Sequence, residues 1–143
     1  MVDTQYLIDT NKLLLDEWNI AHPEDLQPIG VRRPEVDNII PMVEKYDKNQ
    51  NEFEDLIKKA SYLMAIVSWI QAFLDGNKRT GIVSAVKFLY DNGYDLDISK
   101  KDEKEIRSLL YDIQDQRVSL NYSIVDKIII YTTKRTKIHE SRR

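Results

Sequence analysis

A polar turn, Phe73 to Gly81, lies between two strongly apolar segments and constrains the fold more than any other stretch. It reads Phe-Leu-Asp-Gly-Asn-Lys-Arg-Thr-Gly. The segment before it, residues 62–70, would be apolar on nearly every side of a helix. After it, Ile82, Val86 and Leu89 recur at helical spacing. The pattern predicts a buried helix, a sharp turn and a second helix that opens with Asn, Lys and Arg.

The start of this second helix has the properties of an anion site. Unpaired backbone N–H groups and the positive end of the helix dipole gather at such a start. Gly76 lets the backbone approach a ligand closely, and Lys78 and Arg79 add charge suited to phosphate. Most helix starts bind nothing, however, and a glycine turn followed by a solvated Lys-Arg pair is equally compatible with these residues. The residues alone leave both interpretations open.

Around this turn the chain resembles the Fic/Doc (Fido) family, whose motif is His-x-Phe-x-Asp/Glu-Gly/Ala-Asn-Gly/Lys-Arg. Residues 71–79 read Gln-Ala-Phe-Leu-Asp-Gly-Asn-Lys-Arg, so six of the seven specified positions fit. The misfit is Gln71, which stands where the family has its catalytic His. Lys78 and the residues after it are most similar to the Doc (death-on-curing toxin) branch. The resemblance extends over residues 6–131, because the order and lengths of the helices also look similar.

The resemblance implies transfer of a phosphoryl or AMP group from ATP to a protein hydroxyl, with Lys78 favouring phosphoryl transfer. Asp75 would hold Mg²⁺, a hard cation that prefers carboxylate oxygen. Lys78 and Arg79 would neutralise the charge that develops during transfer. The positions that the resemblance implies for binding ATP are Phe73, Gly76, Asn77, Lys78 and Arg79.

Because position 71 is Gln, the chain lacks the His that would accept the proton in the family's reaction. A His accepts the hydroxyl proton because its pKa lies near neutrality, whereas a Gln amide neither gains nor loses a proton. Ile82 stands where the full family motif has a second Arg, and Trp69 stands where a compensating cation could lie. The catalytic positions that the resemblance implies are Gln71, where the His is missing, Lys78 and Arg79, and transfer is expected to be impaired. Gln71 also has a structural use, since its amide can satisfy backbone groups beside the turn.

Three functions remain open from the sequence. The first is an impaired Doc-like transferase that retains its nucleotide-phosphate site. The second is a catalytically dead interaction module, for which nucleotide is irrelevant. The third is an active enzyme in which Gln71 only positions the acceptor. Doc-branch toxins bind an antitoxin whose extra helix occupies the active-site groove, so the implied partner is a protein substrate or an antitoxin. The candidate for the flap that docks targets in relatives is Tyr46 to Asn51.

Composition narrows the class of protein. A chain of 143 residues is expected to form one compact domain with a sizeable core. The absence of cysteine excludes disulfides, cysteine-based zinc sites and thiol chemistry. The apolar run at 62–70 is shorter than the ~18 residues of a membrane span, and the N-terminus does not resemble a secretory signal. We therefore expect a cytoplasmic protein with no membrane partner.

The charge of the chain is unevenly distributed. The net charge is −3, but Lys134 to Arg143 hold five basic residues and one Glu, and the rest holds 16 basic and 23 acidic residues. This favours an acidic domain over residues 1–133 and a basic tail over 134–143. A solvated, frayed tail is the favoured interpretation, and nucleic acid is not the expected partner.

The predicted fold is all-α, a compact single-domain Fic/Doc-like bundle of about six helices around a central buried helix at 53–73. Tyr94 to Ile98 is predicted as either a short strand or an extended arm, and residues 5–8 as a short extended piece. In the first helix, Leu13, Leu14 and Trp18 are expected on the apolar side. The other predicted helices run from Asp9 or Thr10 to Ile20, from Arg33 onward with a kink or break at Pro41, from Asn77 to Asn92, from Ser99 to Gln116, and from Tyr122 to Thr133.

Overall fold

The computed structural model describes residues 1–46 and 51–140 and confirms the all-α prediction. Within these ranges no helix is both long enough and apolar enough to cross a membrane. The elements, in chain order, are α1 (Thr4–Ala21), α2 (Arg33–Glu44), α3 (Glu52–Ile70), α4 (Asn77–Asp91), β1 (Tyr94–Leu96), α5 (Lys100–Asp115), α6 (Tyr122–Arg135) and β2 (Thr136–Ile138).

Helix α3 is the centre of the bundle, as predicted. All residues from Ala60 to Ser68 are buried, and the helix packs against α2, α4, α5 and α6. It ends at Ile70, however, and not at Phe73. Gln71 adopts left-handed backbone angles (φ 58°), which stop the helix, and Phe73 forms an antiparallel bridge with Val31. The first residues of the motif therefore lie outside the helix.

Helix α1 starts earlier than the sequence indicates. The Asp3 carboxylate accepts a hydrogen bond of 2.7 Å from the backbone N–H of Tyr6 and so caps a helix that begins at Thr4. The predicted extended piece at 5–8 and the cap at Asp9 or Thr10 are therefore wrong. Of the predicted apolar side, Leu13 is wrong because it is 59% exposed, whereas Leu14 and Trp18 are partly buried. The buried residues of α1 are Leu7, Thr10, Asn11 and Leu15.

The structure confirms the predicted proline in the first turn of α2. Pro41 does not break this helix. The helix continues to Glu44. Pro41 and Asp37, one turn before it, are both exposed, so the Asp37 carbonyl that loses its helical partner can bond to water. Of the candidate flap, residues 47–50 lie outside the described residues. At one end of that stretch the Tyr46 ring stacks on Tyr62, with the centroids 3.8 Å apart.

The C-terminal basic segment is part of the fold as far as it is described. Helix α6 runs to Arg135, and β2 pairs antiparallel with β1, so that Tyr94 lies opposite Ile138. The backbone N–H of His139 donates to the carbonyl of Gly93 at 2.9 Å. The prediction of a frayed tail is therefore wrong for residues 134–139. Of the two alternatives at Tyr94, the structure has the short strand, because β2 provides a partner.

The crossing of α3 and α4 depends on Gly81. A Cβ atom there would lie 3.2 Å from the backbone oxygen of Met64 and 3.4 Å from Cβ of Val67. Replacing Gly81 with Val is expected to lower the free energy of unfolding by about 1–3 kcal/mol through overpacking. Urea denaturation followed by circular dichroism measures this loss. Lys87→Val, on an exposed position of α4, introduces the same side chain without the clash. Equal urea midpoints for the two variants would contradict the close packing.

Candidate functional site

Gly76 forms the corner of the motif turn. It has left-handed backbone angles (φ 74°) and occupies the N-cap position of α4. Its N–H donates to Oδ1 of Asp75 at 2.7 Å. A Cβ at this position would approach Nδ2 of Asn11 to 3.1 Å and Cδ2 of Leu15 to 3.2 Å. Both the backbone angles and the close approach of α1 therefore favour glycine.

Asn11 supports the turn from α1 and was missed by sequence reasoning. Its buried amide donates to the carbonyl of Asp75 at 2.8 Å and to Oγ1 of Thr80 at 3.1 Å. These two bonds connect the turn and the first helical turn of α4 to α1. In the sequence, Asn11 is a polar residue midway between Leu7 and Leu15 on one face of the helix. A polar side chain that is buried at such a position requires hydrogen-bond partners.

Asn77 holds the turn closed from inside. Its side chain is 5% exposed. Oδ1 accepts a hydrogen bond from the N–H of Phe73 at 3.1 Å, and Nδ2 donates to the carbonyl of Phe73 at 2.9 Å. The Phe73 ring is buried in the core. The amide of Asn77, which the resemblance assigns to phosphate, is thus engaged by the protein itself.

Gln71 makes structural contacts. Its Nε2 donates to the carbonyl of Ser68 at 2.6 Å, and its Oε1 lies 3.4 Å from Nδ2 of Asn77. The Arg32 guanidinium donates to the Gln71 carbonyl. These contacts satisfy backbone groups at the end of α3. This is the structural role that the sequence allows for the Gln71 amide. Gln71 does not line the cleft described below.

The segment before α2 fixes the backbone of the motif from the other side. The N–H of Arg32 donates to the carbonyl of Ala72 at 2.7 Å, and the N–H of Leu74 donates to the carbonyl of Gly30 at 3.1 Å. A Cβ on Gly30 would lie 2.6 Å from Cδ1 of Leu74, so the two segments are in close contact. The turn is therefore held by α1, α4 and this extended segment together.

A cleft of about 320 Å³ opens at the N-terminus of α4. Of the predicted site residues, its lining includes Asp75, Gly76, Asn77, Lys78 and Arg79 but not Gln71 or Phe73. Residues from three other segments complete it, and these are Trp18 of α1, Gln27 of the following loop, and Arg107 and Tyr111 of α5. The cleft is within the size range of small-molecule sites.

Both motif cations lie against aromatic rings. The Lys78 ammonium lies 4.2 Å from the centroid of the Tyr111 ring and donates to Oε1 of Gln114. The Arg79 guanidinium carbon lies 5.3 Å from the centroid of the Trp18 ring. Burial lowers the pKa of Lys78, and this outweighs the opposing effects of nearby carboxylates. A partly desolvated cation of this kind gains more from an anion than one in open solvent.

The contribution of α5 was missed by sequence reasoning. Arg107, Tyr111 and Gln114 occupy one face of α5, and Ile106, Leu110 and Ile113 are buried in the core. The amphipathic pattern predicts that α5 has a polar face. It cannot predict that this face meets the start of α4, because the relation between the two helices depends on long-range packing.

Asp75 is the carboxylate that lines the cleft. In residues 1–46 and 51–140 no group of three or more His, Asp or Glu side chains is arranged to hold a metal ion. Mg²⁺ in proteins commonly takes one or two carboxylates, several waters and phosphate oxygens of a substrate. Asp75 therefore fits Mg²⁺ that arrives together with phosphates, and not a resident metal enclosed by side chains.

Comparison with known proteins identifies the family of the chain. A family model described as the Fic/DOC family matches residues 2–89, which is more than half of the chain. The match includes α1, with the Asn11 support, and extends through the motif turn into α4. No curated protein and no solved structure matches the chain. The family match suggests a transferase-type or related function, and the protein belongs to the Fic/DOC family.

Proposed function

We propose that this protein binds the phosphates of ATP, with Mg²⁺, at the N-terminus of α4. In this proposal it is a Doc-like member of its family whose transfer to a protein hydroxyl is impaired by Gln71. The observation that carries the proposal is the cleft that unites Gly76, Lys78, Arg79 and Asp75. Free N–H groups at a helix start, together with two cations, form a standard arrangement for phosphate.

The charges of the cleft favour an anionic ligand. Three cations, Lys78, Arg79 and Arg107, line it together with one carboxylate, Asp75. Lys78 is positioned by Gln114 and Tyr111, so little side-chain freedom is lost when a phosphate binds. Burial that lowers the pKa of Lys78 also indicates that water screens this charge only partly.

Asp75 is the residue that would hold Mg²⁺, which when bound neutralises phosphate charge and orients the transferred group. The Asp75 carboxylate is directed by its own contact with the Gly76 N–H, at 2.7 Å. Oδ1 accepts that hydrogen bond. The second carboxylate oxygen, Oδ2, is on the same side chain, which is partly exposed. The turn itself therefore orients the carboxylate.

Gln71 accounts for the proposed impairment. Its side chain turns back to the carbonyl of Ser68, and an amide cannot accept the proton of the acceptor hydroxyl. The loss of a general base typically costs ~10²–10⁴ in rate. Binding does not require this base, so the phosphate site can persist while transfer is weak or absent.

A second candidate function is a protein-interaction module that binds an antitoxin-like partner or a target protein. Three apolar residues beside the motif turn favour it, because Ile29, Val31 and Leu74 are 41%, 37% and 50% exposed. A partner that covers the turn would bury this apolar surface. In this case nucleotide affinity is irrelevant, so the two candidates differ in one measurable property.

Calorimetric titration with ATP and Mg²⁺ tests the proposal. Clear binding is expected, and Lys78→Ala is expected to weaken it about tenfold or more, since a hydrogen bond to a charged group contributes ~1.5–3 kcal/mol. Lys87→Ala is the matched control, because Lys87 is on the same helix and pairs with Asp91 outside the cleft. Its affinity should equal that of the unaltered protein.

Two results would overturn the proposal. Absence of ATP binding by the unaltered protein would favour the interaction module. Equal affinities of the unaltered protein and Lys78→Ala would show that ATP binds away from the start of α4.

A further inference from the structure

We propose that Arg107 of α5 receives the outer phosphates of a nucleoside di- or triphosphate and so makes the cleft prefer these ligands over a monophosphate. This rests on the proposed function and adds a residue that lies outside the motif. It also gives the cleft a third cation, although the second Arg of the full family motif is replaced by Ile82 in this chain.

Position 82 supplies no cation to this cleft. Ile82 is partly buried against the core and lines a different cleft, together with Val86 and Leu96. Arg107, by contrast, lines the same cleft as Lys78 and Arg79 although it lies 28 residues beyond Arg79. The third cation of the site therefore comes from α5 and not from α4.

The cations lie at different levels along the cleft. Gln114, which accepts from Lys78, is two turns beyond Arg107 on α5, a rise of ~10 Å. Tyr111, whose ring lies under Lys78, is one turn beyond Arg107, a rise of ~6 Å. Arg107 is thus displaced along the helix from the place where Lys78 is held. Positive charge distributed in this way matches a chain of phosphates better than a single phosphate.

Lys78 and Arg107 also affect each other electrostatically. Burial is the main reason that the pKa of Lys78 is lowered, and the charge of Arg107 lowers it further. Two cations that are close enough to repel are stabilised by an anion that contacts both. A polyphosphate can contact these two cations through different phosphate groups, so its charge matches the pair better than that of a monophosphate.

Arg107 can exchange its present partner at little cost. Its Nε and Nη2 both donate to one oxygen of Glu103, at 3.0 and 2.7 Å. Two of the five guanidinium N–H groups serve this contact, and the others remain for a phosphate. The Arg107 side chain is 48% exposed, and surface pairs between residues four apart on a helix contribute little to stability.

Titrations with AMP, ADP and ATP, each with Mg²⁺, test the proposal on the full chain. The unaltered protein is expected to bind ATP at least about tenfold more tightly than AMP. Arg107→Gln should weaken ATP and ADP about tenfold while AMP affinity changes less than about twofold, because only the outer phosphates lose a contact. Lys104→Gln is the matched control, since it removes one charge from the same helix outside this cleft. It should leave all three affinities within about twofold of the original.

Failure of this inference can be distinguished from failure of the proposed function. If Lys78→Ala weakens ATP binding but Arg107→Gln does not, or weakens AMP equally, the role of Arg107 is overturned and the phosphate site stands. If the unaltered protein binds none of the three nucleotides, both proposals fall. Thermal denaturation of Arg107→Gln checks its folding, which an exposed Arg to Gln change is expected to preserve.

Discussion

Replacing Gln71 with His is expected to raise the rate of transfer from ATP to a protein hydroxyl by about 10²–10⁴-fold, because it provides a general base. The backbone permits the change. Gln71 has φ 58°, and His is one of the residue types enriched at such angles. In the reaction the acceptor oxygen bonds to phosphorus, the acceptor proton passes to His, and ADP leaves in phosphoryl transfer or pyrophosphate in AMP transfer.

Labelled ATP measures this prediction and identifies the group that is transferred. Label from the γ-phosphate on protein indicates phosphoryl transfer, and label from the α-phosphate indicates AMP transfer. A bacterial lysate can supply acceptors, and self-modification is followed in its absence. Gln71→Asn is the matched control, since Asn also accepts left-handed angles but provides no base. A Gln71→His variant that binds ATP but transfers no faster than Gln71→Asn would show that the missing base is not what limits transfer.

Replacing Asn77 with Ala is expected to lower the free energy of unfolding by about 2–4 kcal/mol, because the N–H and the carbonyl of Phe73 each lose a buried partner. Both groups bond to the Asn77 amide, at 3.1 and 2.9 Å. Ala is the better helix former at this position, but that gain is smaller than the loss. Urea denaturation followed by circular dichroism gives the difference directly.

Asn38→Ala is the matched control for this prediction, because Asn38 is an exposed residue of α2. Its effect should lie within about 0.5 kcal/mol. A loss below about 1 kcal/mol for Asn77→Ala would mean that the Phe73 backbone finds other partners, and the turn would not depend on Asn77.

Patterns that depend on near neighbours in the chain predict much of this fold. The apolar run at 62–70 predicts the buried centre of α3, and Gly93, with φ 90°, ends the predicted helix before it. Apolar residues at helical spacing after Ser99, which include Ile106, Leu110 and Ile113, predict the buried face of α5. The motif turn predicts the family, which is confirmed over residues 2–89. The Doc branch, ATP, Mg²⁺, a cytoplasmic location and an antitoxin-like partner stay predictions.

Partners that are distant in sequence decided the rest. Helix α3 ends at Ile70 and not at Phe73 because Phe73 bridges Val31, 42 residues earlier. The buried face of α1 includes Asn11, whose partners are Asp75 and Thr80. Apolar spacing gives no sign of a buried amide, so the sequence predicts a different face of α1 from the one that is buried.

The sequence by itself determined which functional groups lie at the start of α4, because a carboxylate, a glycine and two cations are close together in the chain there. It also predicts impaired transfer, since Gln71 cannot titrate. Only the tertiary structure decided which side chains face that start. Trp18 and Arg107 line the cleft although they lie about 60 residues before and about 30 residues after it. The physical reason is that helical periodicity specifies a polar face, whereas the packing of the whole core decides what that face meets.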